Sequence, residues 1–327
     1  MDEFRMLIRR TGGPEVIEAE AISLAPPGPG EARVRHRAIG LNFIDTYRRA
    51  GLYPVDLPAG MGTEAAGVVE AVGDGVEDIK PGDRVAYVSG PLGAYATVRT
   101  IAASQLIPLP GSIDDETAAA AMLKGMTTAF LVGPCGRVQP GQAVLVHAAA
   151  GGVGSLLVQW LKTIGAVVIA HAGSPEKAER AARLGATHAL SCPMDELAAQ
   201  VRTITDGAGV ATVFDSVGKA SWEPSLASVA PRGLIITFGN ASGPVPLFDA
   251  LTLMRAGSIF VTRPTLADYM RTPEESRMLA RQLFEKLAGG LSVPIGQRFA
   301  LADAGEAHRR LEARQTVGAT VFTPHQP

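Results

Sequence analysis

GQAVLVHAAAGGVGSLLVQWLK, residues 141–162, is the stretch whose reading decides the fold. Residues 143–148 form a short, almost wholly apolar run. A parallel strand covered on both faces reads this way. Leu156, Leu157, Trp160, Leu161 and Ile164 recur at helical spacing and predict a helix over 155–164. Between them lies Ala148-x-x-Gly151-x-x-Gly154, a dinucleotide fingerprint with Ala in the first place. Small residues let the backbone come close to a diphosphate. The helix start offers free N–H groups and a positive dipole end to that anion, and Gly154 lets helix and strand pack closely. The bland reading is a glycine-rich turn with no ligand. The strand before, the helix after and the further β units that follow favour the nucleotide.

Outward from this bend the alternation continues. Strands are expected at 167–170, 188–190, 210–215, 234–238 and 258–261. Helices are expected from Ser174-Pro175 (an N-cap residue followed by proline) to about Leu184, and over 195–203, 222–229 and 247–255. Six strands with five helical crossovers make a doubly wound parallel α/β sheet. The chain before it reads as strands: 33–39, 65–72, 84–88 and 95–98, parted by turns such as Pro81-Gly82-Asp83. A compact, barrel-like β domain is expected, followed by an Ala-rich helix from Asp114. Past Pro264, helix 273–287, strand 293–299, helix 302–314 and strand 317–322 follow. About 60 residues are too few for a separate core, so this segment is expected to complete the first domain. The expected domains are 1–126 with 265–327, and 127–264.

Composition narrows the function. Hydrophobic residues are 46% of the 327 and charged ones 19%, which excludes disorder. Lys+Arg 30 against Asp+Glu 32 argues against a nucleic-acid or anionic-membrane binder. Cys135 and Cys192 are too few for a disulfide framework or a multi-thiolate zinc site. Met1-Asp2-Glu3-Phe4-Arg5 lacks a signal pattern, and no uncharged apolar run reaches spanning length. A cytoplasmic protein is expected.

The second strand of the alternation ends Ile169-Ala170-His171-Ala172-Gly173-Ser174, with no carboxylate at its tip. An acidic residue there binds the ribose hydroxyl of NAD. Ser174 and Lys177 suit a 2′-phosphate instead, so NADPH is the expected cofactor. Glu176 lies close by, and the plain alternative makes Lys177 a solvated helix residue.

These residues, from Gly141-Gln142 through Ala149-Ala150-Gly151-Gly152-x-Gly154 to Gln159 and Lys162, resemble the signature of the quinone oxidoreductase/zeta-crystallin family. That family is a zinc-free branch of the medium-chain dehydrogenases/reductases. Gly12-Gly13-Pro14-Glu15-Val16, Asn42-Phe43-Ile44-Asp45-Thr46-Tyr47, Gly51-Leu52-Tyr53-Pro54, Gly62-Thr63-Glu64-Ala65-Ala66-Gly67, Phe214-Asp215-Ser216-Val217-Gly218, Phe238-Gly239-Asn240 and Val261-Thr262-Arg263-Pro264 extend the likeness. It implies a GroES-like catalytic domain built from both chain ends, a Rossmann domain between, NADPH-dependent reduction of a quinone, and a homodimer joined through the sixth strand, 258–261. By the same resemblance Asn42, Tyr47 and Thr128 surround the nicotinamide end, and Gly151, Gly152 and Val153 hold the diphosphate. Gly173, Ser174 and Lys177 hold the 2′-phosphate. Phe238, Gly239, Asn240 and Arg263 form the far wall, joined by Arg314 from the last helix. Relatives commonly carry Tyr where this chain has Cys192. Cys192 beside the cofactor reads as a redox thiol or as a small structural residue, and the second is the expected role, since nothing near it in sequence clearly lowers a thiol pKa.

Zinc-dependent relatives place a Cys and a His where this chain has Asn42–Asp45 and Gly62-Thr63-Glu64. No metal site is expected, and hydride delivery to an electron-poor ring needs mainly proximity. Tyr47 and Tyr53 are candidates to hydrogen-bond or protonate a quinone oxygen, and Lys124, with Asn42 and Thr128, to orient the reacting groups. Each also reads as a pocket-lining or structural residue. His36, His188, His308 and His325 show no partner pattern. His147 reads as a satisfied core histidine, His171 as a phosphate contact or a surface residue, and Asp215 as a turn cap or a crevice residue. Competing functions are an NADPH-dependent reductase of α,β-unsaturated carbonyls, and a recruited structural or RNA-binding crystallin-like protein.

Overall fold

The computed structural model describes residues 3–88 and 90–324. Met1 and Asp2 of the opening segment, and His325, lie outside the described residues. In chain order the elements begin with strands β1 (Phe4–Ile8), β2 (Ile17–Ala21) and β3 (Glu31–Leu41), then helix α1 (Phe43–Arg49). Strands β4 (Ala59–Gly60), β5 (Glu64–Val72), β6 (Arg84–Val88), β7 (Val98–Ala102) and β8 (Ile107–Pro108) lead to helix α2 (Asp115–Phe130). The alternating region is β9 (Ala143–Val146), α3 (Gly152–Ile164), β10 (Val167–His171), α4 (Pro175–Leu184), β11 (His188–Leu190), α5 (Met194–Ile204), β12 (Val210–Asp215), α6 (Trp222–Ser228), β13 (Val229–Thr237), α7 (Ala250–Arg255) and β14 (Phe260–Thr262). The chain ends with α8 (Pro273–Ala288), β15 (Ile295–Ala300), α9 (Ala304–Glu312) and β16 (Ala319–Thr323).

Two compact units divide the chain. One is Met1–Met126 with Thr272–Pro327, the other Thr127–Arg271. The second unit runs beyond the expected 264. Its sheet has the order β11-β10-β9-β12-β13-β14, all neighbours parallel. This is the doubly wound Rossmann order, reversing direction at β9. Leu145, Ile169, Val213, Trp222 and Ile235 lie in its core.

In the first unit the eleven-residue β3 organises a seven-stranded sheet, β15-β16-β3-β5-β6-β8, with β7 pairing the other end of β3. A second sheet is β2-β1-β4. Strand β16 pairs antiparallel with β3 through Thr320↔Leu41 and Phe322↔Ile39, so the C-terminal return is stitched into the N-terminal sheet. Phe322 is fully buried and meets Tyr95 edge to face at 4.8 Å between centroids.

Several expected boundaries move for local reasons. Strand β13 starts at Val229, not 234, because Pro231 and left-handed Arg232 sit at an irregularity where the pairing skips between Val210 and Thr212. Strand β14 starts later than 258 because Gly257 and Ser258 both take positive φ, 104° and 57°. Helix α7 starts at Ala250, where Asp249 caps it by accepting from the Leu251 N–H at 2.8 Å. Strand β7 starts at Val98, while Tyr95 turns into the core. Residues 115–135 form one helical stretch of 21 residues, long and apolar enough to cross a membrane. Its apolar window is 72% buried inside the protein, and the whole stretch includes Asp115, Glu116 and Lys124, so it is a core helix.

Phe322→Ala tests the stitching of the C-terminal strand. It removes a buried ring, and the expected loss in stability is about 3–5 kcal/mol. Equilibrium urea unfolding measures it, and a loss under about 1 kcal/mol contradicts the role given to β16.

Candidate functional site

The second unit gathers one set of candidates along the C-terminal edge of its sheet. Strand β9 leads into Ala148, which takes φ +48°, a left-handed conformation uncommon for alanine. The Gly151 N–H then donates to the Ala148 carbonyl at 2.8 Å and closes the bend. A Cβ on Gly154 would collide with that carbonyl and come within 2.9 Å of the Ala149 Cα. Only glycine lets the first turn of α3 lie against the bend. Helix α3 therefore starts at Gly152, three residues before the expected 155, and Gly152, Val153 and Gly154 are its first turn. Gly151 is the N-cap and supplies no capping side chain. The first-turn N–H groups are thus free of a side-chain cap and point where an anion sits well.

At the end of β10, Gly173 is exposed and Ser174 caps α4, its Oγ accepting from the Lys177 N–H at 3.4 Å. Lys177 is half-buried on the first turn. Arg180 lies one turn on along the same face, its pKa lowered by burial. Sequence reading passed over Arg180, although its spacing from Lys177 signals it. His171 is buried, so it is not the surface residue of one reading. Its Nε2 donates to the Cys192 carbonyl at 2.9 Å, which ties β10 to the segment after β11. Burial raises the Cys192 thiol, and Glu196 and Asp195 add to the rise, as suits a packing residue.

Beneath this edge, His147 is fully buried, and its Nε2 meets the Ser225 Oγ at 3.0 Å. Ser225 spends its own proton on Asp215, 3.0 Å away, so His147 is the donor in this pair. Burial lowers the His147 pKa to about 4. Asp215 also accepts from the Ser221 hydroxyl at 2.7 Å and from the Val217 and Gly218 N–H groups at 2.8 and 3.1 Å. It is a turn cap. The Phe238 N–H donates to the Asp215 carbonyl at 2.8 Å, which sets Phe238, Gly239 and Asn240 beside that turn. Arg263 is exposed just past β14, and Thr128 is fully buried on α2. Arg314 belongs to the first unit. It is exposed at φ +60°, beyond the end of α9, and so is not a residue of the last helix.

The first unit holds the other candidates. Asn42 caps α1, and its backbone N–H donates to Asp45 Oδ2 at 2.9 Å. Tyr47 and Tyr53 meet edge to face at 5.5 Å, with Phe43 against Tyr47 at 6.2 Å. The Asn42 side-chain amide donates to Glu64 Oε1 at 2.7 Å, and the Lys124 ammonium lies 3.2 Å from the same oxygen. Behind α1 runs a directed chain of hydrogen bonds. Buried Arg49 donates to His308 Nδ1 at 3.1 Å, so Nε2 carries the ring proton and donates to the Tyr95 oxygen at 3.1 Å. The Tyr95 hydroxyl donates to Asp45 at 3.0 Å, and Arg49 also pairs with Glu312 at 2.6 Å. Burial pushes Asp45 up to about 6 and His308 down to about 3. His36 has partners too: its Nδ1 donates to the Ala96 carbonyl at 2.7 Å, and Tyr87 lies 3.1 Å from its Nε2. His188 is exposed.

Residues 28–111 match the model of the alcohol dehydrogenase GroES-like domain, and residues 152–281 that of the zinc-binding dehydrogenases. A quinone oxidoreductase of Pseudomonas aeruginosa is 51% identical over 96% of this chain and 97% of its own. The chain belongs to the quinone oxidoreductase family. The crystal structure of the Pseudomonas syringae quinone oxidoreductase superposes with a TM-score of 0.96, at 48% identity over 98% of this chain and 100% of that one. That of the Escherichia coli quinone oxidoreductase, complexed with NADPH, gives 0.95 at 43% identity, with the same coverage. The fold thus comprises a GroES-like domain and a six-stranded parallel Rossmann sheet. Zinc does not fit the residues around Glu64. Their donors are an amide and a carboxylate, and a lysine ammonium already lies against that carboxylate. Among the described residues no group of three or more His, Cys, Asp and Glu is arranged to hold a metal.

The buried histidines predict how stability follows pH. His147 and His308 take a proton near 6.5 when unfolded, but only near 4 and 3 when folded. Their contribution is complete above 6.5 and is lost as pH falls. Asp45, raised from 3.8 to about 6, contributes in the opposite sense, gaining as pH falls through 6. Each group gives a slope of about 1.4 kcal/mol per pH unit inside its window. Two losses against one gain leave the protein weaker toward acid between pH 6 and about 4. His308→Asn is expected to flatten that slope in urea unfolding across the range. An unchanged slope contradicts the neutral, buried His308.

Proposed function

We propose that this chain is an NADPH:quinone oxidoreductase. The observation that carries the reading is the free first turn of α3 against the Ala148 bend, with Ser174 and Lys177, and no carboxylate, at the neighbouring strand tip. Gly151, Gly152, Val153 and Gly154 would hold the diphosphate through backbone N–H groups. Gly173, Ser174 and Lys177 would hold the 2′-phosphate, with Cys192 packing beside the adenosine. Phe238, Gly239, Asn240 and Arg263 would border the cofactor, and Arg314 and Thr128 would approach it from the remaining elements. Bound NADPH supplies a hydride. Tyr47 and Tyr53 present phenols to a quinone oxygen, and Asn42 and Lys124 orient the reacting ends. The net reaction takes NADPH, a proton and a quinone to NADP+ and a hydroquinone.

We also propose a homodimer joined at the free edge of the Rossmann sheet. Among the described residues β14 pairs only with β13, Phe260 on it is 63% exposed, and Leu247, Leu251 and Met254 are exposed on and before α7. An unpaired edge with exposed apolar residues favours pairing with a second copy. A single-chain mass in light scattering refutes it. The balanced charge and the burial of the apolar helix over 115–135 support a cytoplasmic enzyme.

The activity test is NADPH oxidation with 1,4-benzoquinone, run beside an enone. Quinone turnover is expected to dominate, and turnover of the enone alone refutes the quinone assignment. Lys177→Ala is expected to weaken NADPH binding about tenfold or more, the scale of one charge-assisted contact, and to leave NADH nearly unchanged. Equal losses for both nucleotides contradict the phosphate role.

A further inference from the structure

Gly62-Thr63-Glu64 stands out in the sequence only for the metal ligands it lacks, yet Glu64 is a fully buried carboxylate with three hydrogen-bond donors, two of them candidate site residues. It opens β5 with 0% exposure. Its Oε1 accepts from the Asn42 Nδ2 at 2.7 Å and the Lys124 Nζ at 3.2 Å, and its Oε2 accepts from the Leu123 N–H at 2.6 Å. The Lys124 ammonium, its side chain 7% exposed, also reaches the Leu41 carbonyl at 3.4 Å. Across the sheet, β3 makes room for the carboxylate. A Cβ on Gly40 would collide with it and with the Ala119 carbonyl.

Packing alone does not call for this arrangement. Desolvating a carboxylate and an ammonium costs several kcal/mol per ion, and a well-packed apolar pair joins a helix to a sheet at least as stably. What the carboxylate adds is direction. It only accepts hydrogen bonds, so the Asn42 amide must turn its NH2 group toward Glu64 Oε1, while the Asn42 side chain also accepts from the Asp45 N–H in the capping box of α1, and the two contacts together fix which way the amide faces. The same oxygen holds the Lys124 charge in one place. Asn42 and Lys124 are the two groups assigned above to orient the reacting ends.

We propose that Glu64 is the positioning residue of the reductase site: it fixes the orientation of the Asn42 amide and anchors the Lys124 ammonium. This rests on the quinone reductase reading. Glu64 acts through those two neighbours, so its loss is expected to appear in kcat and to leave nucleotide affinity in place.

The test uses full-length wild type, Glu64→Gln and the double variant Glu64→Gln/Lys124→Met. For each, the melting temperature, the number of NADPH-binding sites, the KM for NADPH and the kcat per binding site with 1,4-benzoquinone are measured. Glu64→Gln keeps the shape and removes the charge. Its kcat per site is expected to fall about 100-fold, as misplacement of reacting groups does, with the KM for NADPH within about threefold of wild type. The double variant removes both buried charges. It is expected to recover melting temperature over Glu64→Gln while kcat stays low. A Glu64→Gln kcat per site within about threefold of wild type, or a double variant with wild-type kcat, overturns the proposal and leaves Glu64 a structural residue. Wild-type protein that oxidises no NADPH with quinone overturns the reductase reading as well, which distinguishes the two failures.

Discussion

No side chain fits between the first turn of α3 and the Ala148 carbonyl. That exclusion is the constraint on which the nucleotide half of the molecule rests. It forces glycine at 154 and carries the helix three residues nearer to the strand than side-chain periodicity alone indicates. It leaves the helix N-terminus without a capping side chain, just past the end of β9, where the strand order reverses between β9 and β12. A backbone end of this kind favours an anion. The turns around it are held independently, by Asp215 through four donors and by His171 on the Cys192 carbonyl, so the seat is shaped before any ligand arrives.

The first unit solves a different problem with buried polar groups. Helix α1 is short, with seven residues, and carries Asn42 at its start and Tyr47 inside it. A helix of that length is marginal alone. Its own Asp45 and Arg49 anchor it to Tyr95 and His308, each group oriented by the donor and acceptor capacity of the next. His308 lies on α9 and Glu312 ends it, so the C-terminal segment reaches the candidate site through hydrogen bonds as well as through the pairing of β16 with β3.

Much of this was legible in the sequence. Helix α4, with Ser174 before Pro175, and strands β11 and β12 lie where pattern and caps put them, because their signals are local. The strand, bend and helix over 143–164 were legible for the same reason. The errors arise where local rules meet tertiary ones. A proline and a left-handed residue concealed the start of β13, and a left-handed Arg314 shortened the last helix. The partners of His308 are the plainest case. Arg49 stands 259 residues away and Tyr95 213, and no periodicity connects them. Glu64 was hidden in the same way, since its ligands come from the start of α1 and from α2.

The most direct measurement is a crystal structure of the protein with NADPH. Diphosphate oxygens are expected within about 3 Å of the Gly152 and Val153 N–H groups, and the 2′-phosphate between Ser174 and Lys177. A diphosphate lying away from the N-terminus of α3 contradicts this placement.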